Sequence, residues 1–598
     1  MKMMNVVWTC IVLISLVILV SSIDEDRKVF IAYMGFLPEG EYSPSLHHYE
    51  ILKNITNPRF ARKPLIRSYQ RSFNGFAAYL SQEEQQNLAG FDGIISVFPC
   101  QKLHLQTTRS WDFMGFPTTI ERSPTAESDT IIEIIDGGIW PESESFSDEG
   151  LGPIPTRWKG ECQGGTNFTC NRKIIGARYY GIEYSVRDMH GHGTHVASTI
   201  AGRQGNSINA FPSSNEELPL LYGKQVTSEC SENEASYCHA KCLDGSLVEH
   251  KVVLCDENRN PYSVKAAGAS GCIVPNHGNS VSEVGPLPIA ALNTNDINLV
   301  KTYQNSSIKP KVQIFKSEAI NNQVAPLVAS FSSRGPSRFI YDIIKPDVTA
   351  PGVEILAAYS PMAPPSHTYI DKRSVKYNIL SGTSMACPHV AAAAAFVKSF
   401  HPNWSPSAIK SALMTTAWEM IPYRSLDTEF AYGSGHIDPH KAKDPGLVYD
   451  TSKEDYHKIW CRIFQSILNT TCDANLTLRQ MNYPSMAVQV GMNSAFVVSF
   501  PRTVTNVGKA NSTYVASIKG STKLNIIVDP NILQFTALNQ RKSFVVTVRG
   551  KRIKSPLTVE SVSLLWTDED DIHKVRSPIV VYTGNTTNTT SSDQRGST

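Results

Sequence analysis

The first folded segment of the chain alternates short apolar runs with polar stretches. Three runs, Lys28–Met34, Phe76–Leu80 and Ile94–Phe98, have the length and composition of β-strands. The sequence Ser81-Gln-Glu-Glu84 follows the second run and is typical of a capping box, so a helix is predicted to begin there. Residues 28–106 are therefore predicted to form a compact α/β unit.

The middle of the chain combines strand and helix signals. The apolar run Ile131–Ile135 predicts a buried strand, and a helix is predicted after the stretch Gly191-His-Gly-Thr-His195. Two more helices are expected, one from near Gly382 through Ala395 and one with Ser405 as N-cap and a proline at its first position. This mixture indicates an α/β core.

Two further segments differ from that core in composition. Residues 213–316 are rich in cysteine and contain β-like runs at Lys251–Leu254 and Gly271–Val274. Residues 480–583 alternate apolar and polar positions between turn residues, which predicts a β-sandwich. The polar residues 584–598 are predicted to be a disordered tail.

The N-terminus carries a targeting signal. Lys2 is followed by the apolar run Val6–Val20 and by the small residues Ser21 and Ser22. This run is short for a membrane span, and the pattern predicts a secretory signal peptide over residues 1–22. No later stretch is apolar enough to hold the mature chain in a membrane, so we expect a secreted protein that is free of the membrane after signal removal.

Charge and cysteine content narrow the class of protein. The 598 residues include 56 Lys plus Arg and 54 Asp plus Glu, and they contain no basic run, which excludes a nucleic-acid partner. There are 12 cysteines. Cys10 and Cys100 lie in segments that are expected to be removed, and the even number that remains predicts disulfides in a secreted protein.

The spacing of the cysteines predicts some of the bridges. Cys162 with Cys170 and Cys461 with Cys472 are close enough for local disulfides. The pairing among four clustered cysteines stays open: Cys230, Cys238, Cys242 and Cys255. Asn-x-Ser/Thr sequons, which agree with a glycosylated secreted protein, begin at Asn54, Asn167, Asn305, Asn403, Asn469, Asn475, Asn511, Asn585 and Asn588.

Three widely separated stretches contain residue types that can act together in nucleophilic catalysis. Asp136 follows the predicted strand and precedes two glycines, His192 lies at the entry to a helix, and Ser384 lies at the start of another. A serine hydroxyl is a poor nucleophile until a base takes its proton, and a carboxylate must orient that base. The order Asp, His, Ser along the chain is that of the subtilisin arrangement and not of an α/β-hydrolase.

At these residues the chain resembles the plant subtilisin-like serine proteases of the cucumisin-like group. The resemblance rests on Ile134-Ile-Asp-Gly-Gly-Ile-Trp-Pro-Glu-Ser143, Gly191-His-Gly-Thr-His195 and Ser381-Gly-Thr-Ser-Met-Ala-Cys-Pro-His389. It implies that Asp136 orients the base, that His192 is the general base and acid, and that Ser384 is the nucleophile. It further implies a polypeptide substrate, no cofactor, and an extracellular location in the apoplast or cell wall.

The same resemblance implies an α/β fold with a subtilisin-like doubly wound parallel sheet and three added domains. The prodomain would act as an intramolecular inhibitor and leave by cleavage between Gln106 and Thr107. The implied domains are an inhibitor-like prodomain at 28–106, a peptidase core at 107–212 and 317–450, a β-rich protease-associated insert at 213–316, and a fibronectin-III-like domain at 480–583.

The sequence departs from the family pattern at one place. The family has an oxyanion-hole Asn in a stretch like Ala-Gly-Asn-Ser-Gly-Pro between the His and the Ser, and neither Gly205-Asn-Ser207 nor Gly278-Asn-Ser280 is equivalent to it. The chain passes directly from Arg203 to Gln204 and reaches the insert about a dozen residues after Gly202, whereas one βαβ unit needs roughly 30 residues. We therefore expect central strands to be missing from the core. The chain is then either an incomplete gene model or a catalytically inactive, subtilase-like binding protein.

The histidines and the cysteine near these motifs have simpler interpretations. His190, His192 and His195 could suggest a metal, but a His-Glu-x-x-His motif is absent and no metal site is predicted. His195 is expected to be a packed or hydrogen-bonded side chain. Cys387 is expected to be a buried structural thiol, because nothing near it marks an activated thiolate.

Overall fold

The computed structural model divides the chain into two compact units, residues 1–105 and 106–598. It describes residues 27–35, 43–56, 64–69, 74–99, 110–116, 120–123, 126–127, 129–180, 185–202, 217–227, 229–257, 261–276, 284–315, 325–337, 340–420, 428–468 and 478–584. Outside these ranges lie the predicted signal peptide, Cys472, the Gln106–Thr107 and Arg203–Gln204 junctions, and residues 585–598 of the predicted tail.

The first unit is an antiparallel sheet with two helices. Its elements are β1 (Lys28–Tyr33), α1 (Pro44–Ile55), β2 (Leu65–Tyr69), β3 (Gly75–Leu80), α2 (Gln82–Ala89) and β4 (Ser96–Pro99), with sheet order β2-β3-β1-β4. The three predicted strands are confirmed. The predicted capping box is also confirmed, because Ser81 Oγ accepts from Glu84 N and the Glu84 carboxylate accepts from Ser81 N.

The first part of the predicted core, up to Gly202, has little regular secondary structure in the described residues. Its elements include α3 (Ser110–Phe113), β5 (Cys162–Gln163), β6 (Ala177–Arg178) and α4 (His192–Ala201). Among the described residues 129–180 and 185–202, parallel pairing is limited to β5 with β6 and one bridge from Ile139 to Arg187. The predicted disulfide between Cys162 and Cys170 is confirmed.

The predicted buried strand at Ile131–Ile135 is wrong for this chain. These residues have no sheet partner in the part of the chain that the structure describes, and Ile135 is 90% exposed. Apolar strands of this kind depend on neighbouring strands and covering helices for both hydrogen bonds and burial. The missing pairing agrees with the expected loss of central strands.

The insert is a mixed α/β unit, whereas the resemblance implied a β-rich one. Its elements are β7 (Leu218–Tyr222), α5 (Glu232–Ser236), α6 (Gly245–Val248), β8 (Val252–Leu254), α7 (Pro261–Ala266), β9 (Gly271–Pro275), β10 (Ile289–Leu292), α8 (Thr294–Ser306) and β11 (Lys311–Val312). The sheet order is β10-β9-β8-β7-β11, and only β11 is antiparallel to its neighbour. Disulfides join Cys230 to Cys242 and Cys238 to Cys255, which resolves the open pairing.

The chain then returns to the core before forming the C-terminal domain. The returning elements are β12 (Ile355–Ala358), β13 (Tyr377–Leu380), α9 (Thr383–Phe400), α10 (Pro406–Thr415), α11 (Glu429–Tyr432), α12 (Pro439–Ala442), β14 (Leu447–Val448) and α13 (Lys453–Leu468). The helices predicted near Gly382 and after Ser405 are confirmed, and Ser405 Oγ accepts from Ala408 N as an N-cap should.

The C-terminal domain is the predicted β-sandwich. Its strands are β15 (Met486–Val490), β16 (Phe496–Asn506), β17 (Ser512–Gly520), β18 (Leu524–Asp529), β19 (Ile532–Phe535), β20 (Arg541–Gly550), β21 (Val559–Asp568) and β22 (Lys574–Thr583). Two sheets, β14-β16-β20-β18 and β15-β22-β21-β17-β19, enclose a core that includes Phe500, Phe544 and Trp566.

A buried histidine connects this sandwich to the core. His573 Nδ1 lies 2.7 Å from Asp568 Oδ2, and His573 Nε2 lies 3.1 Å from Asp444 Oδ1, just before β14. The nearby carboxylate of Asp444, with that of Asp568, raises the pKa of His573 above its usual 6.5 despite burial. The protonated imidazole therefore stabilises the folded state.

We expect the free energy of unfolding to fall as the pH rises above 6.5 and to lose this slope in His573→Gln. Because the pKa of His573 is higher in the folded than in the unfolded protein, its protonation stabilises the fold at low pH. This stabilisation is complete below the pKa of the unfolded state and is lost as the pH rises through the pKa of the folded state. Burial lowers the pKa values of three other histidines, so these side chains titrate below pH 6.5 and do not contribute to the slope above it: His195, His389 and His436. Urea denaturation at several pH values measures the slope, and an equal slope in the variant would contradict the assignment.

Candidate active site

The structure joins Asp136 and His192 directly. His192 Nδ1 donates to Asp136 Oδ1 at 2.8 Å and lies 3.0 Å from Oδ2, although the two residues are 56 positions apart. Asp136 Oδ1 also accepts from Gly137 N. The His192 side chain is 43% exposed and that of Asp136 is 16% exposed, so the imidazole faces a solvent-accessible surface while its carboxylate partner is largely covered.

Two glycines allow His192 to sit where it does. Gly191 has φ +86°, and a Cβ there would lie 2.1 Å from the Tyr359 ring. A Cβ on Gly193 would lie 2.1 Å from Gly138 O, in the turn that follows Asp136. Larger residues at either position would separate the helix start from the carboxylate.

Ser384 lies at the start of the neighbouring helix. It is the second residue of α9, so its backbone N–H has no intrahelical acceptor. Helix α9 packs against α4. Gly382 N donates to Gly352 O, which fixes the turn that precedes the helix. Within the described residues, Ser384 Oγ makes no hydrogen bond, and the structure therefore pairs the carboxylate with the imidazole but leaves the hydroxyl apart.

The other histidine of the motif has a packing role. His195 is fully buried, and its Nε2 donates to the carbonyls of Ile355 and Asn378. Burial lowers the pKa of His195 to about 4, so the ring is neutral. The expectation of a packed, hydrogen-bonded residue is confirmed. Among the residues that the structure describes, no group of three His, Cys, Asp or Glu side chains could hold a metal ion.

The expectation for Cys387 is wrong. Its thiol is exposed on α9, three residues after Ser384, and forms no disulfide. Among the described residues, the buried free thiol is instead Cys272 in the insert, where burial raises the pKa to about 12.

A large open cavity lies beside the Asp136 turn. Its volume is about 1640 Å³, and its lining includes Ile132, Ile134, Ile200, Ala392 and Phe396. Protein interiors are close-packed, with few voids larger than a water molecule. The cavity is open to solvent on one side, and the Asp136 segment and helices α4 and α9 all contribute to its lining.

Family models match most of the chain in three pieces. They are Peptidase inhibitor I9 at residues 29–106, the Subtilase family at residues 264–445 and a Fibronectin type-III domain at residues 480–581. Subtilisin-like protease SBT4.6 of Arabidopsis thaliana is 40% identical, over 94% of this chain and 96% of the relative. Subtilisin-like protease SBT4.3 of the same plant is 41% identical, over 93% and 96%. The chain belongs to the subtilisin-like serine protease family.

The comparison also shows that this subtilase is shorter than its relatives. The alignment with SBT4.6 runs over 715 positions and includes 94% of 598 residues, or about 562, so about 150 aligned positions have no residue in this chain. The Subtilase model matches the half of the core that contains Ser384 but not the half with Asp136 and His192. Among the described residues, no helix is long and apolar enough to cross a membrane.

Reasoning from the sequence missed Asp188. This carboxylate is fully buried and holds the turn that carries His192. A usable signal was its position three residues before Gly191, the N-cap of α4. Glycine has no side chain with which to cap a helix, so a nearby carboxylate is a candidate to do so.

Proposed function

We propose that this subtilase is a secreted, prodomain-activated serine endopeptidase that cleaves polypeptides through an acyl-enzyme. The observation that supports this most strongly is the bond from His192 to Asp136 at the start of a helix that packs against the helix of Ser384. In this assignment Asp136 orients the imidazole, His192 is the base, and Ser384 is the nucleophile.

The chemistry follows from the tautomer that Asp136 selects. Because Nδ1 donates to the carboxylate, Nε2 is left to accept the proton of Ser384. The Ser384 oxygen then attacks the peptide carbonyl, and the first-turn N–H groups of α9 face the developing negative charge. His192 returns the proton to the leaving amine, and a water molecule repeats the sequence to release the acyl group.

The remaining domains extend this proposal. The unit at residues 28–99, which carries the inhibitor match, would block the cleft until cleavage between Gln106 and Thr107 releases it. The predicted signal peptide and sequons would bring the mature protein outside the cell as a glycoprotein. The disulfides within the core and the insert suit such an oxidising environment.

A second candidate is a subtilase-like protein that binds partners without cleaving them. The cavity beside Asp136 and the unpaired Ile131–Ile135 segment favour it if this chain is the complete product. Loss of one oxyanion donor costs about 10²–10³ in rate, and loss of the supporting strands would also disturb the spacing of the three catalytic groups.

Labelling with a fluorophosphonate tests the catalytic assignment. We expect wild-type protein to be labelled on the peptide that contains Ser384 and Ser384→Ala to lose at least about 10³-fold in labelling rate, because no other activated hydroxyl is expected. Ser381→Ala, in the same turn, serves as the matched control and keeps its reactive Ser384. Equal labelling of the Ser384→Ala variant would overturn the assignment, whereas a folded wild type without any labelling would favour the binding protein.

A further inference from the structure

The turn that carries His192 depends on one buried carboxylate. Asp188 Oδ1 accepts from His190 N at 2.9 Å and from Gly191 N at 2.7 Å. Its Oδ2 accepts from Thr194 N at 2.9 Å and from Thr194 Oγ1 at 2.6 Å. Asp188 is fully buried, so these four donors supply the compensation that a buried carboxylate requires.

Asp188 replaces the side-chain cap that α4 lacks. The N-cap position is Gly191, whose φ of +86° and contact with the Tyr359 ring exclude a side chain. An N-cap side chain would normally accept from the third helical N–H, which here belongs to Thr194. The carboxylate of Asp188 accepts from that group instead, three residues before the cap.

The same residue also connects this turn to the Asp136 segment. Asp188 N donates to Ile139 O at 3.2 Å, just after the Asp136 turn. The Thr194 hydroxyl, while donating to Asp188, accepts from Trp140 N at 3.0 Å. Asp188 therefore binds both segments whose separation sets the distance from Asp136 to His192.

We infer that Asp188 is the positioning residue for the proposed base His192, acting through Gly191 and Thr194. This inference rests on the proposed function, because it gives His192 the role of base. Asparagine at position 188 would keep the shape but turn an N–H₂ group toward one pair of N–H or O–H donors. The turn would then shift away from Asp136, and the bond to His192 Nδ1 would be lost.

Proton NMR of the full chain with ¹⁵N-labelled histidine tests this inference without requiring turnover. The Nδ1 proton of His192 should give a far-downfield resonance that disappears in His192→Gln and in Asp188→Asn. Asp371→Asn is the matched control: Asp371 is also buried, pairs with Ser366 and Arg373, and touches neither Asp136 nor His192. We expect the control to lose thermal stability while keeping the resonance.

A second pair of variants covers the case in which Asp188→Asn does not fold. Thr194→Val should lose the resonance, because it removes the hydroxyl between Asp188 and Trp140. Thr194→Ser keeps this hydroxyl and should therefore keep the resonance. Persistence of the resonance in Asp188→Asn or Thr194→Val, or its absence from wild type, would overturn the inference. Labelling of Ser384 is a separate result, so failure of the positioning role remains distinct from failure of the proposed function.

Discussion

Insertion of the corresponding SBT4.6 interval between Arg203 and Gln204 is expected to raise peptide hydrolysis by at least about 10²–10³-fold, the usual effect of one oxyanion donor. The gain should exceed that range if the inserted strands also bring Ser384 into hydrogen-bond distance of His192. In the present chain the Ser384 hydroxyl has no partner among the described residues, although Asp136 and His192 are already paired. Turnover of a fluorogenic peptide by matched preparations measures the difference.

The control for this experiment separates the amide donor from the restored scaffold. A second insertion, identical except that the family's oxyanion Asn is replaced by Leu, should recover the fold but remain about 10²–10³-fold less active than the first. Equal activity of the original chain and the complete insertion would contradict the account, because it would mean that the missing interval contributes nothing to catalysis.

Substitution of Ile135 by Ala is expected to be nearly neutral in this chain and costly in the completed one. With its side chain 90% exposed, Ile135 buries little surface, and exposed substitutions usually change stability by less than about 0.5 kcal/mol. Once neighbouring strands cover it, removal of three carbons should cost about 2–5 kcal/mol. Urea denaturation of the two backgrounds, with and without the substitution, gives the comparison.

Leu413 provides the matched control for Ile135. It lies on α10, is 4% exposed and does not line the cavity. Leu413→Ala should therefore cost about 2–5 kcal/mol in both backgrounds. A large loss of stability from Ile135→Ala in the present chain would show that this residue is already buried and would contradict the missing layer.

What the sequence predicts well in this subtilase is local. The cap at Ser81, the cap at Ser405 and the short disulfide from Cys162 depend on residues a few positions apart. The sandwich also follows from its pattern, since alternation with a period of two marks which side of each strand is buried. The order of the three catalytic motifs further identifies the family, which the relatives confirm.

What the sequence predicts poorly depends on distant neighbours. Ile131–Ile135 has the composition of a buried strand, but among the described residues this segment pairs with no strand and Ile135 is 90% exposed. The exposure of Cys387 on α9 likewise depends on what packs against its helix, which the motif around Ser384 does not specify. The buried role of Asp188 depends on Thr194 and on Ile139, which lies 49 positions earlier, and only the three-dimensional structure brings these groups together.

Sequencing of transcripts across the codons for Arg203 and Gln204 decides whether the core of this subtilase lacks an interval. The expected result is an in-frame coding interval at this junction, with a length on the scale of the roughly 150 unmatched positions and with the oxyanion Asn inside it. A continuous read from Arg203 into Gln204 in every transcript would contradict it and would leave a subtilase-like binding protein as the product.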